Sequence, residues 1–122
     1  MPIDTVVRPR ERLIEVIGLG AGTFGEYREA FSTVCGQLRR HRGFAVLCNF
    51  EHYRNTPSWR EALRLIEVGR RRAAVFAAGL AIVTQPNIDF RMAELLSLHA
   101  QSQGIQVQVF TNGDAARRWL KR

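Results

Sequence analysis

The sequence predicts a single α/β domain: a mostly parallel five-stranded sheet with an N-terminal antiparallel hairpin and helices packed on it. Three observations carry that expectation. Two short apolar runs at the start are separated by Arg8-Pro9-Arg10, the mark of a hairpin. Beyond them, stretches of helical periodicity alternate with short apolar strands, a pattern that builds parallel sheets through right-handed crossovers. Finally, 122 residues, 46% hydrophobic and 24% charged, supply one core and leave no linker between two.

The elements follow in order. Ile3 to Val7 reads as a strand, and Leu13 to Leu19 as its hairpin partner. A glycine-rich bend, Gly18 to Gly25, leads into a helix from about Phe24 to His41, where Tyr27, Ala30, Phe31, Val34, Cys35 and Leu38 recur on one face. Phe44 to Phe50 is a near-continuous apolar run, as expected of a central strand covered on both faces. His52 to Pro57 reads as a polar loop. Ser58 then opens a helix with Glu61 completing a capping box, and Gly69 is expected to end or interrupt it before Arg70-Arg71-Arg72. Leu80 to Thr84 is a buried strand, Asp89 to Gln103 a helix stopped by Gly104, and Ile105 to Phe110 an alternating strand. Thr111 to Asp114 offers capping chemistry for a last helix carrying Ala115, Ala116, Trp119 and Leu120.

The composition points to a cytoplasmic protein. No basic run followed by an apolar stretch opens the sequence, and the most apolar segment, Ala73 to Val83, falls far short of the roughly 20 residues that span a bilayer. Cys35 lies in a helical pattern and Cys48 in an apolar strand, so both read as small buried hydrophobes rather than a redox pair. The formal charge of +7 comes almost wholly from arginine, with Lys121 the single lysine. Such a surface attracts polyanions without specificity, yet arginine skew also follows from genome composition.

At this point a family comes into view. The strand at Phe44 to Glu51 (FAVLCNFE), the strand and turn LAIVTQPN with the helix start FRMAELL, and the closing VFTNGDAARRWL from Val109 to Leu120 resemble a STAS domain. This is the sulfate-transporter and anti-sigma-factor-antagonist fold, and the likeness is to its SpoIIAA-like branch of small stand-alone bacterial proteins. The resemblance implies a non-enzymatic domain that regulates or scaffolds, commonly through protein contacts, with some members binding small apolar or anionic ligands; a homodimer is one expected assembly. It also implies a phosphorylated serine at the start of the helix after the central strand, where Ser58 stands. The family's Asp-Ser, followed by Ser or Thr and Gly, is here Pro57-Ser58-Trp59-Arg60, and helix capping alone explains the serine.

Gly20, Gly22 and Gly25 match GxGxxG between a strand and a helix, the arrangement that cradles a pyrophosphate. Glu51, the candidate ribose acid, lies 26 residues past Gly25, against the usual interval of about 20. A plain bend between strand and helix serves as well. His41, His52 and His99 share no metal-binding spacing, and Ser32, Ser58, Ser97 and Ser102 lack a nucleophile-elbow context. The sequence therefore predicts no catalytic residue, metal or cofactor. Arg39-Arg40-His41-Arg42 and Arg70-Arg71-Arg72 sit at helix ends, where cations oppose the helix dipole. Their neighbours Phe44 and Phe76 read as buried, which makes nucleic acid the least expected partner. Met92, Ala93, Leu95, Leu96 and Leu98 make the late helix apolar around more than half its circumference, so Met92, Leu95 and Leu98 are the candidate surface for a protein partner or a second copy. The alternative to partner binding is a small nucleotide-, anion- or lipid-binding domain using the Gly20 to Gly25 bend.

Overall fold

The hairpin strands are β1 (Ile3–Arg8) and β2 (Leu13–Gly20), paired antiparallel from Ile3–Gly18 to Arg8–Leu13. Their turn closes where the Arg12 amide donates to the Pro9 carbonyl at 3.1 Å. The computed structural model describes residues 3–20, 23–53, 59–86 and 88–121.

After the hairpin come α1 (Phe24–Arg40), β3 (Ala45–Tyr53), α2 (Trp59–Arg71), a 3-10 turn at Ala73–Phe76, β4 (Leu80–Val83), α3 (Ile88–Ser102), β5 (Val107–Phe110) and α4 (Gly113–Leu120). The strands lie in the order β1-β2-β3-β4-β5, and every pair after the first is parallel. A sheet whose right-handed crossovers always advance in one direction must carry its connecting helices on one face. Helices α1, α2 and α3 accordingly share a face, and α4, which follows the last strand, folds back on the other. The fold class read from the sequence is the one observed.

Alternation sorts the side chains. Ile14, Val16, Val46 and Leu80 meet α1 and the 3-10 turn, together with Val34, Cys35, Leu38 and Phe76. Leu13, Leu47, Ala81 and Val83 point the other way, under Ala116, Trp119 and Leu120 of α4. Glu15 shares that second face and is 4% exposed. Its carboxylate accepts from Arg8 Nε at 2.6 Å, and Arg117 of α4 approaches it at 3.5 Å while also binding Glu11 at 2.9 Å. One buried acid thus ties the hairpin to the last helix.

Several boundaries differ from the sequence reading. Strand β3 runs on through Glu51, His52 and Tyr53, where a loop was expected from His52, because Leu19 and Gly20 continue the ladder beside it past a register shift. Gly69 does not end α2, which continues to Arg71. It is buried, and a Cβ there would meet Ile105 Cδ1 at 3.2 Å, so the glycine serves close helix packing. Ile105 stands before β5, in the core with Ala100 and Val107. Both readable caps are side-chain caps: Thr23 and Glu26 form a reciprocal capping box on α1, and the Asn112 carbonyl oxygen accepts from the Ala115 amide on α4.

Candidate functional site

On the three-helix face the packing is incomplete. A cavity of about 270 Å³ lies between the sheet and α1, α2 and α3. Its floor is every second residue of the central strands: Val46, Cys48 and Phe50 from β3, then Leu80, Ile82 and Thr84 along β4. The residue types overhead explain the space. Helices α2 and α3 turn Leu65, Ile66 and Leu96 toward it, but interleave them with Ala62, Gly69, Ala93, Ser97 and Ala100, which are too small to cover the floor. Helix α2 packs chiefly on α3 and stands off the strands. By contrast α1 brings large aromatics, with Tyr27 edge-on to Phe50 at 6.0 Å and Phe31 against Phe76 at 5.6 Å, and these close the cavity on that side.

The lining is apolar except near the carboxyl ends of β3 and β4, where Thr84 and Gln85 stand. Gln85 donates through Nε2 to the Glu51 carbonyl at 2.8 Å, bracing the two strand ends together. Ser97, buried on α3, spends its hydroxyl on the Glu94 carbonyl at 2.8 Å and leaves its part of the wall without a free donor. Both cysteines are free thiols. Cys48 is half-buried and lines the cavity, and burial pushes its thiol up to about 12. Cys35 is raised by burial too, against the opposing effect of a hydrogen bond with Arg72. A thiol near 12 is almost wholly protonated at pH 8, so Cys48 is expected to alkylate on the order of 10³-fold more slowly in the native protein than in denaturant. Mass-resolved iodoacetamide labelling checks this; comparable native and denatured rates would show that the cavity is wet.

Among the described residues, those singled out in the sequence are not brought together. Ser58 and Gly22 lie outside the described residues. Gly20 is the last residue of β2, paired with Tyr53, and Gly25 sits in the first turn of α1 with ordinary space around it. The α1 capping box places the Glu26 carboxylate on the Thr23 amide at 2.9 Å, which puts a negative charge of the protein's own where an anion would approach that helix. Glu51 and His52 are exposed on β3. Helix α3 does both things its composition allows. Ala93, Leu96 and Ala100 face the cavity, while Leu95 and Leu98 stand 59% and 62% exposed on the outer side, with Met92 half-buried between. The cavity itself was missed in the sequence; the row of small residues on α2 and α3 is its only trace there.

Among the described residues no three His, Cys, Asp or Glu side chains gather as a metal site requires, and no helix is long and apolar enough to cross a membrane.

A five-stranded sheet with one antiparallel edge pair, three helices on one face and a fourth on the other defines a SpoIIAA-like α/β fold. The chain is similar to a solved structure from Shewanella loihica, an uncharacterized DUF3478-family protein with a SpoIIAA-like fold. The match has a TM-score of 0.65 at 15% identity and covers 97% of this chain and 91% of that one. No family model and no curated protein matches the sequence.

Proposed function

We propose that this is a non-enzymatic STAS-like domain that works by binding, and that the cavity under α2 and α3 receives a small apolar ligand such as a medium-length acyl chain. The cavity is the observation that carries the reading. Interiors are ordinarily packed without voids larger than a water. At about 24 cal/mol per Å³ a closed void of this size would cost on the order of 6 kcal/mol; this one is partly open to water, so its cost is the apolar lining left wetted, which an apolar ligand would cover. An apolar cavity of about 150 Å³ takes up benzene, so this one has room for roughly ten carbons. A polar head would sit by Thr84 and Gln85, at the carboxyl ends of the strands. A bacterial cytoplasmic setting and a regulatory role belong to this reading through the family resemblance.

The test is a thermal-shift series with straight-chain fatty acids of graded length. The expected result is a dose-dependent rise in Tm that is greatest near the length that fills the cavity. Ala62→Phe, which fills the space from α2, should abolish the shift and raise the ligand-free Tm. No shift at any length, with Ala62→Phe lowering Tm, would mean that the helices close on the sheet and no ligand is held.

Leu95 and Leu98 support a second reading, in which the outer face of α3 meets a protein partner or a second copy. Light scattering of the Leu95→Ser/Leu98→Ser variant beside the parent protein separates the two: a dimer mass lost in the variant supports self-association, and a monomer in both leaves a different protein as the partner.

A further inference from the structure

Helices that connect parallel strands run back antiparallel to them, so the carboxyl ends of α1 and α2 come down at the amino ends of the strands. The turn between β1 and β2 lies at the same end. Arginines far apart in sequence meet there. Arg10 and Arg12 come from the turn, Arg39, Arg40 and Arg42 from the end of α1, and Arg72 from just past α2. Contacts make this one continuous edge. The Arg12 carbonyl accepts from the Ala45 amide at 3.1 Å, and its guanidinium lies 5.4 Å from the centre of the Phe44 ring. His41 stacks on that same ring at 5.0 Å. Arg72 and Arg39 both act electrostatically on the Cys35 thiol of α1, so these two cations converge on one point of the edge.

These six guanidinium groups form no salt bridge among the described residues; the ion pairs there use Arg8, Arg70, Arg71 and Arg117. The nearby acids are engaged, Glu67 by Arg70 and Arg71 and Glu11 by Arg117. Two helix dipoles account for about one positive charge in all, at roughly half a charge per helix end. The remainder faces water without a counterion among the described residues.

We propose that this edge binds the phosphodiester backbone of single-stranded nucleic acid, without sequence preference. The charges are all guanidiniums, whose planar fork pairs with phosphate in two-point fashion. Phe44, read from sequence as buried, is half-buried beside exposed Arg12 and half-buried His41, whose planar guanidinium and imidazole are groups on which an unpaired base can stack. An anionic membrane would meet large exposed apolar side chains as well as charge. Those chains are elsewhere, Leu19 at the opposite end of β2 and Leu95 and Leu98 on α3, with Val68 alone near the arginines. The site is separate from the cavity and stands or falls independently of it.

The experiment is fluorescence anisotropy of a labelled single-stranded oligonucleotide titrated with the whole chain at rising salt. Binding is expected to persist at physiological ionic strength, with log K falling against log salt at a slope of about −4 if all six cations engage, near 0.7 per phosphate. The exposed triple variant Arg39→Gln/Arg40→Gln/Arg42→Gln should flatten that slope by about 2. Arg10→Gln/Arg12→Gln is a second variant, on the turn, should the first disturb α1; circular dichroism reports the fold of each. Three results would overturn the proposal: no binding at physiological salt, folded variants that bind with an unchanged slope, or capture by vesicles containing phosphatidylglycerol with no capture of the oligonucleotide.

Discussion

Truncating Leu47 to alanine is expected to remove about 3–4 kcal/mol of stability, while Leu65→Ala should cost less than about 1.5 kcal/mol. Both are leucine truncations, and the difference lies in what surrounds them. Leu47 is 0% exposed on β3, closed in by Leu13, Ala81, Val83 and Ala116 under α4. Deleting its side chain there opens a new void in packing that cannot collapse. Leu65 on α2 borders the cavity, where one side of the side chain already lacks neighbours, so its removal forfeits few contacts and enlarges a space that exists. Urea unfolding with matched m-values measures both. Equal losses would mean that the space under α2 is filled by packing, and the ligand reading would fail with it.

The second large effect centres on Glu15. Removing both cations in Arg8→Ala/Arg117→Ala leaves a carboxylate of 6% side-chain exposure stripped of the two cations that pair with it, at an expected cost of about 3–5 kcal/mol. Each single change should cost well under half of that, since the other arginine remains within 2.6 or 3.5 Å and is itself 30–40% exposed to water. Adding Glu15→Leu to the double variant should restore most of the loss, because a leucine on that face joins Leu13 and Leu47 in an apolar layer. Failure of that third substitution to rescue would show that the arginines stabilise α4 through their own packing over the sheet rather than by satisfying the acid. Thermal melts of the four proteins decide between these accounts.

Much of the fold was legible because its signals are local. Strand and helix order, the α1 boundaries and the cap before α4 depend on residues a few positions apart, as with Thr23 and Glu26 or Asn112 and Ala115. Gly69 misled for the same reason: judged locally a glycine breaks a helix, and only the approach of Ile105, 36 residues later, shows why it is tolerated. Nothing in the local sequence marks Glu15 as buried. Its burial depends on Arg117, 102 positions away, arriving with α4 on the same face. Phe44 was expected in the core, yet its position beside the turn leaves it half-covered by Arg12 and His41.

Periodicity, caps and turn residues alone determined the α/β order of elements and the hairpin edge, because hydrophobic pattern and backbone chemistry act over single elements. Only the tertiary structure decided where the candidate sites lie. Small side chains on α2 and α3 become a cavity when one-handed crossovers set both helices over the same strands. Scattered arginines become one basic edge when the helices return to the same end of the sheet. Spacing along the chain carries neither result, since both depend on how elements that are distant in sequence are stacked.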